Sequence, residues 1–415
     1  MLEAAIKAAQ PSQCIPPALP APPDRGKIVV VGAGKAAAAM ALAAESRFVA
    51  DGFANRIRGA VVTRYGARLP TTIIDVDEAG HPIPDAASSA AATRALHLAA
   101  DAAAGDLVLC LLSGGASALW TAPVAGLDLT QKQAVTRQLL RSGAPISEIN
   151  CVRKHLSRIK GGRLAAVASP AQVLTLAISD VPADDPAVIG SGPTVADPST
   201  LMEAAAILSR RKIDVPDAVT RALADPANET PKPGAPELIN SLYRVVATPG
   251  MALRAAAEIA RRSGCHVELM GDALEGEARE VAADHARTAI GICRQGRRTV
   301  LISGGELTVT VRGNGTGGPN QEYALALADA LAGHPGIHAI AADTDGIDGG
   351  KGQPADPAGA FVHPDTLERA GAHRNPAIFL ANNDATAFFA AIDDLVFTGP
   401  TQTNVNDFRA ILIDP

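Results

Sequence analysis

The sequence predicts an α/β protein of two domains, the first built on a doubly wound parallel sheet. Three observations carry this. Of the 415 residues 47% are hydrophobic but only 3% aromatic, so the core is made of Ala, Val, Leu and Ile. Short apolar runs of strand length alternate with Ala-rich helical stretches, the βαβ cadence of a buried parallel sheet. The cadence stops in a segment with four prolines, Asp225–Pro236, and then restarts.

In chain order, a short helical pattern holding Glu3 and Lys7 is followed by the proline-rich stretch Pro11–Pro23. Apolar runs at 27–31, 57–63, 72–76, 106–112 and 173–178 predict strands, and 36–44, 86–104 and 129–141 predict helices. With a linker at 225–236, we expect domains over 1–235 and 236–415 meeting at a cleft. The second opens with a strand at 243–247, a helix at 251–263 and a strand at 266–269. A helix from 276 towards 295, a strand at 299–302 and an alternating run at 307–311 follow.

Charge and cysteine usage exclude several functions. The net charge is −6, with 37 basic residues against 43 acidic ones, so no basic field points to nucleic acid. No apolar run approaches the ~20 residues that span a bilayer, and no signal-type segment opens the chain. Five scattered cysteines without CxxC spacing predict free thiols in a reducing compartment. The expectation is a cytoplasmic metabolic protein.

Four motifs carry chemistry. In Val29–Ala37 a strand runs into Gly32-Ala33-Gly34-Lys35 and a helix, a turn that presents backbone N–H groups to a phosphate. The GxxxxGK[ST] spacing of a P-loop fails, and the next strand ends in Thr63-Arg64 where a dinucleotide fold wants an acid. Lys35 suits a phosphoryl group. In Leu112–Leu119 the turn Ser113-Gly114-Gly115, with Ser117, leaves room for phosphates, and it lacks the glycine that a GxSxG elbow needs. Ser303-Gly304-Gly305 echoes it after a later strand. The basic segment Asn150–Arg163 puts Arg153, Ser157 and Lys160 on one face if helical, and Lys154 and Arg158 on another, for a carboxylate or phosphate. Asp180, at a strand's carboxyl end and followed by Asp184 and Asp185, is a candidate Mg²⁺ ligand. Glu306, Arg312–Glu322, Asp343–Gly350, Asn382–Asp384 and Thr398–Asp407 then add polar, glycine-rich loops. The run Asp343–Gly350 is no EF-hand, because the bidentate Glu and flanking helices are missing.

Taken together, VVGAGKAA, LLSGGASALW, VRKHLSRIKGGRLA, ISDVPADDPAVIGSGPTVAD, LISGGELTVTVRGNGTGGPNQE, DTDGIDG, NNDATAF and TGPTQTNVNDFR resemble the two-domain glycerate 2-kinases with a C-terminal MOFRL domain. The resemblance spans nearly the whole chain. It implies a Rossmann-like N-terminal domain, a smaller MOFRL-type α/β domain with a mixed sheet, and phosphorylation of D-glycerate by ATP with Mg²⁺, giving 2-phosphoglycerate. It also implies Lys35 and Asp180 as catalytic residues, with Asp180 and Asp345 towards the metal. Nucleotide contacts fall on Gly32, Gly34, Ser113, Gly114, Gly115, Ser117, Glu306 and Asn320, and substrate contacts on Arg153 and Lys154. We expect a monomer or homodimer acting on a small molecule.

The chain departs from the family at Pro319, where an arginine often precedes Asn-Gln-Glu; Arg312, Arg153 and Lys154 are candidates to replace it. Ala116 and Asp343 are further departures. Because relatives also carry the name hydroxypyruvate reductase, an NAD(P)-dependent reductase is the rival reading. It requires a ribose-binding acid and a histidine acid/base, and His81, His155 and His363 show no such pattern. A non-catalytic sugar-acid or nucleotide binder is the third.

Overall fold

The computed structural model describes every residue, Met1–Pro415, and contains two six-stranded sheets. The first holds β1 (Ile28–Ala33), β2 (Ile57–Arg64), β3 (Ile74–Ala79), β4 (Leu107–Leu112), β5 (Gln172–Ile178) and β6 (Ser241–Ala247). Their order is β3-β2-β1-β4-β5-β6, and β1 to β5 pair in parallel. Every residue of β1 and β4 is buried, as expected of central strands covered by helices on both faces. Helix Ala86–Ala100 lays Ala91, Ala92, Ala95, Leu96 and Ala99 into this core. Asp85, Asp128 and Thr200 each close a capping box, worth about 1 kcal/mol apiece.

The second sheet holds β7 (His266–Leu274), β8 (Thr299–Gly305), β9 (Ile337–Asp343), β10 (Gly359–Val362), β11 (Leu395–Val396) and β12 (Asp407–Ile413). It is mixed, in the order β11-β10-β9-β12-β8-β7; only β7 and β8 pair in parallel. Helix Pro319–Leu331 is buried along most of its length in this core. The α/β class, the doubly wound first sheet and the mixed second sheet are as predicted.

Four local expectations differ from the structure. The two compact units are Pro11–Val246, and Met1–Gln10 together with Ala247–Pro415. Helix Leu2–Ala8 packs on helix Pro249–Arg262, Thr403 Oγ1 donates to Ala9 O at 2.7 Å, and Gln10 Nε2 donates to Thr401 O at 2.7 Å. The strand at 241–247 extends the first sheet beside β5. The proline-rich segment 225–236 therefore lies inside the first unit, where Glu229 and Thr230 join a buried polar network. Proline density reported missing periodicity, not a boundary. Finally, residues 307–311 form a single bridge, Glu277 to Thr308, and no strand.

Candidate active site

The strand order places a switch point between β1 and β4: the chain leaves β1 towards β2 and β3, then returns to β1's other side as β4. The two glycine turns follow these two strands, where an open parallel sheet binds ligands. They interlock through backbone. Ser113 N donates to Ala33 O at 3.1 Å and Lys35 N to Gly114 O at 2.8 Å. Ser113 Oγ accepts from Ala36 N at 3.0 Å. Gly34 has φ +140°, and a Cβ there would stand 2.1 Å from Ser113 Oγ, so the contact requires glycine. Gly115, at φ +83°, would put a Cβ 2.8 Å from His81 Nε2 and 3.5 Å from Lys35 Cγ. Gly32, Gly34, Lys35, Ser113, Gly114 and Gly115 are thus brought together, with His81 beside them.

Next to this point opens a cavity of about 340 Å³ within the first unit. Gly115, Ser117 and Arg153 line it, joined by His81, Lys132, Arg137 and Lys160; no carboxylate does. Lys160 is 2% exposed, and its Nζ donates to Ser117 O at 3.1 Å and Gly190 O at 3.2 Å. Lys132 is 5% exposed and donates to Leu156 O at 2.7 Å. Both are held by carbonyls alone. Burial, then the Arg153 charge, pushes Lys160 down to about 7. Burial, then Lys160 and the neighbouring arginines, pushes Lys132 well below the usual lysine range. Burial also lowers Arg153. Such a cluster gains charge stabilisation when an anion enters.

The basic segment divides differently from the expected helical faces. Its helix, Ile146–His155, ends before Ser157 and Lys160, so Lys160 reaches the cavity from the following turn. Arg153 lines the cavity, but Lys154 does not: its Nζ lies 3.3 Å from Asp197 Oδ1 in a buried ion pair. His155 bridges Cys151 O and Glu229 Oε1 at 2.8 and 3.0 Å. Burial would raise the Glu229 carboxyl, but Lys232, the N–H groups of Leu201 and Thr230, and His155 bring it down to about 2. Lys154 is therefore paired with Asp197 and does not line the cavity.

Asp180 follows β5, next to β4, and is partly exposed. Glu306, Asn320 and Asp345 belong to the second unit. Glu306 is exposed directly after β8. Asn320 is buried, and its amide donates to Asp348 Oδ1 at 3.1 Å and Asp407 Oδ1 at 2.7 Å; its Oδ1 makes no hydrogen bond. Asp345 is buried and its Oδ1 accepts from Ile347 N at 3.0 Å. The echo Ser303-Gly304-Gly305 is no strand-to-helix turn: it lies within β8, and its Ser303 Oγ and Gly304 O accept from the buried Arg409. Loop Arg312–Gly318 is tied to Asn382, Asn383 and Asp384, and Pro319 opens its helix at the first position, where proline is favoured.

Sequence reasoning did not single out Lys132, and it weighed His81 only as the acid/base of a reductase. A signal existed for Lys132, since it shares a helix face with the buried Val135 and Leu139 at i+3 and i+7. His81 had none, because it reaches Gly115 only through the fold.

Glycine turns, a lysine and a cationic cavity at the switch point mark an α/β protein whose sheet end has the chemistry to receive an anion. The comparisons narrow this class. Residues 1–224 match a family described as a domain of unknown function, DUF4147, and residues 299–407 match the MOFRL family. The chain is 49% identical to a putative hydroxypyruvate reductase of Agrobacterium vitis, across 100% of this chain and 93% of that one. It is 38% identical to the D-glycerate 2-kinase of Thermotoga maritima, across 100% of this chain and 97% of the other. The crystal structure of glycerate kinase from Thermotoga maritima matches with a TM-score of 0.89 at 37% identity, covering 99% and 97% of the two chains. The chain belongs to the glycerate kinase family with DUF4147 and MOFRL domains.

Proposed function

We propose that this protein transfers the terminal phosphoryl group of ATP to the 2-hydroxyl of D-glycerate, with Mg²⁺, giving 2-phosphoglycerate and ADP. The observation that carries the reading is Lys35 held between two interlocked glycine turns at the sheet switch point, beside a cavity lined by cations without a carboxylate. Phosphoryl transfer asks the protein mainly for positioning and for positive charge around the transferring group. Turn N–H groups and Lys35 supply both. The relatives named glycerate kinase supply the acceptor.

In this reading Lys35 holds the charge of the transferring phosphoryl group, Asp180 orients the metal or accepts the proton of the 2-hydroxyl, and Arg153 pairs with the substrate carboxylate. Mg²⁺, when bound, would supply positive charge to the phosphates, and Asp180 is the residue that would help to hold it. It is ordinarily held by one or two carboxylates plus phosphates, and the chain offers no cluster of three or more ligating side chains. Asp180 fits that sparse role. Asp345 fits it less well, because one of its oxygens is committed to its own turn. The reductase reading is not favoured: β2 ends in Arg64, where a dinucleotide fold needs a ribose-binding acid, and Thr63 Oγ1 is turned to Lys35 O at 3.3 Å.

The test is a paired assay on one sample. ADP release with D-glycerate, ATP and Mg²⁺, and a ³¹P signal of 2-phosphoglycerate, is the expected result. Oxidation of NADH or NADPH by hydroxypyruvate without ADP release would overturn it.

A further inference from the structure

Antiparallel pairing in the second sheet brings two histidines together. β9 and β10 pair so that Phe361 lies opposite Ile340 and Val362 opposite Ala339. His363, directly after β10, therefore comes opposite His338 near the start of β9. Ala339 and Val362 are buried in the core, and strand alternation turns the two histidines to the other face, where both are partly exposed. Their Nδ1 atoms stand 3.1 Å apart, with ring centroids 5.5 Å apart and planes at 70°. Phe361 stacks on the His363 ring at 5.9 Å between centroids, and His363 N donates to Thr366 Oγ1 at 2.8 Å. The ring is thus held before any ligand arrives.

Such a separation fits chelation. An imidazole nitrogen stands about 2.0–2.1 Å from the ion it binds. Two of them 3.1 Å apart subtend about 100° at a shared ion, between the octahedral right angle and the tetrahedral angle. The surroundings agree in charge. Asp365, Arg369 and Asp394 line the same pocket as the two rings. Arg369 Nε lies 3.2 Å from Asp365 Oδ1, and Arg369 Nη1 donates to Asp394 Oδ1 at 3.0 Å. Two carboxylates against one guanidinium leave a net negative charge beside the pair, which favours a cation. No group of three or more ligating side chains forms there, so water completes the coordination. Neutral imidazoles suit Zn²⁺ and its transition-metal neighbours, whereas Mg²⁺ prefers oxygen ligands.

We propose that His338 and His363 form a binding site for a divalent transition-metal ion such as Zn²⁺, which clamps β9 to the segment after β10. The site belongs wholly to the second unit. It lies five residues along β9 from Asp343, about 16 Å at about 3.3 Å per residue, and it does not depend on the proposed activity.

The test is calorimetry with Zn²⁺ on the full chain, without nucleotide, phosphate or chelator, alongside Tm on the same samples. The wild type is expected to bind one Zn²⁺ at this site and to gain Tm as Zn²⁺ is raised, since the ion binds the folded state. His338→Asn and His363→Asn, checked for folding by circular dichroism, are each expected to weaken that binding at least about tenfold and to abolish the gain in Tm. Even partners that only orient a ligand are worth about ten- to a hundredfold in metal affinity. His373→Asn, at an exposed histidine outside the pocket, is expected to change neither reading, and Mg²⁺ in place of Zn²⁺ to give no gain in Tm through the pair. A wild type that binds no Zn²⁺, or Zn²⁺ binding that survives both substitutions, would overturn the site and leave the two rings as a pair sharing one proton.

Discussion

Two regions of this molecule are equally rich in polar motifs and use them in opposite ways. At the end of the first sheet, Lys132, Lys160 and Arg153 stand in a cavity with no carboxylate among its walls. In the second unit, Asn320, Gln321, Asp348, Asp407 and Arg409 bond mostly to one another: Asp348 accepts from both Asn320 and Gln321, and Arg409 Nη1 lies 2.8 Å from Asp407 Oδ2. The first region leaves charge available for a ligand, whereas the second spends it on its own fold. Local polar density does not separate these cases. Whether the buried cation has an internal counter-charge does: Arg409 has Asp407, and Lys160 has only carbonyls.

The sharpest way to break this contrast is to remove one cation from each region. Arg409→Met leaves Asp407 buried without its partner and is expected to cost about 4 kcal/mol, read as a fall in Tm and in the denaturation midpoint. If Arg409→Met left stability unchanged, the second region would not be self-neutralising.

A pH series comes next. If the cavity receives the phosphates of a nucleotide, Lys160 binds them as its cation; it sits at about 7 in the free protein, so ADP affinity is expected to be full below that value. It should fall above it by up to about tenfold per pH unit, until the bound anion's stabilisation of the ammonium levels the curve. Calorimetry at a series of pH values between 6 and 9 checks this, and Lys160→Met should flatten the profile.

The smallest effect is on stability in the first region. Lys160→Met removes a buried charge that has no counter-charge, at the expense of two hydrogen bonds to carbonyls. Its unfolding free energy should stay within about 1 kcal/mol of the wild type, measured by urea titration. A loss as large as that of Arg409→Met would erase the distinction between the two regions.

Much of the first region was legible in the sequence. The runs that became β1 and β4 are apolar throughout, and a glycine turn at a strand's carboxyl end has a local physical meaning. Lys132 was half legible, because helical periodicity turns it inward but does not say whether an acid waits there. Lys160 was misplaced, since the helix ends at His155 and the chain turns before reaching it. The second region was not legible. Asn320 meets Asp348 and Asp407 across 28 and 87 residues of sequence, and only the fold makes those pairs. The same holds for Lys154, whose partner Asp197 is 43 residues away. Composition also misled at 225–236, where proline marked an irregular segment stitched into the first unit.

The most direct measurement sets Lys35→Ala beside Asn320→Ala, following kcat for ADP release at 25 °C and Tm on the same preparations. The account predicts that Lys35→Ala loses at least about a hundredfold in kcat, as removal of a preorganised charge contact does, with Tm unchanged. It predicts that Asn320→Ala, contrary to the nucleotide contact expected of that residue, strips hydrogen bonds from two buried carboxylates, costs about 2 kcal/mol in stability and keeps kcat within about threefold. Full turnover in Lys35→Ala, or lost turnover in Asn320→Ala with Tm unchanged, would place the chemistry in the other region and contradict the account.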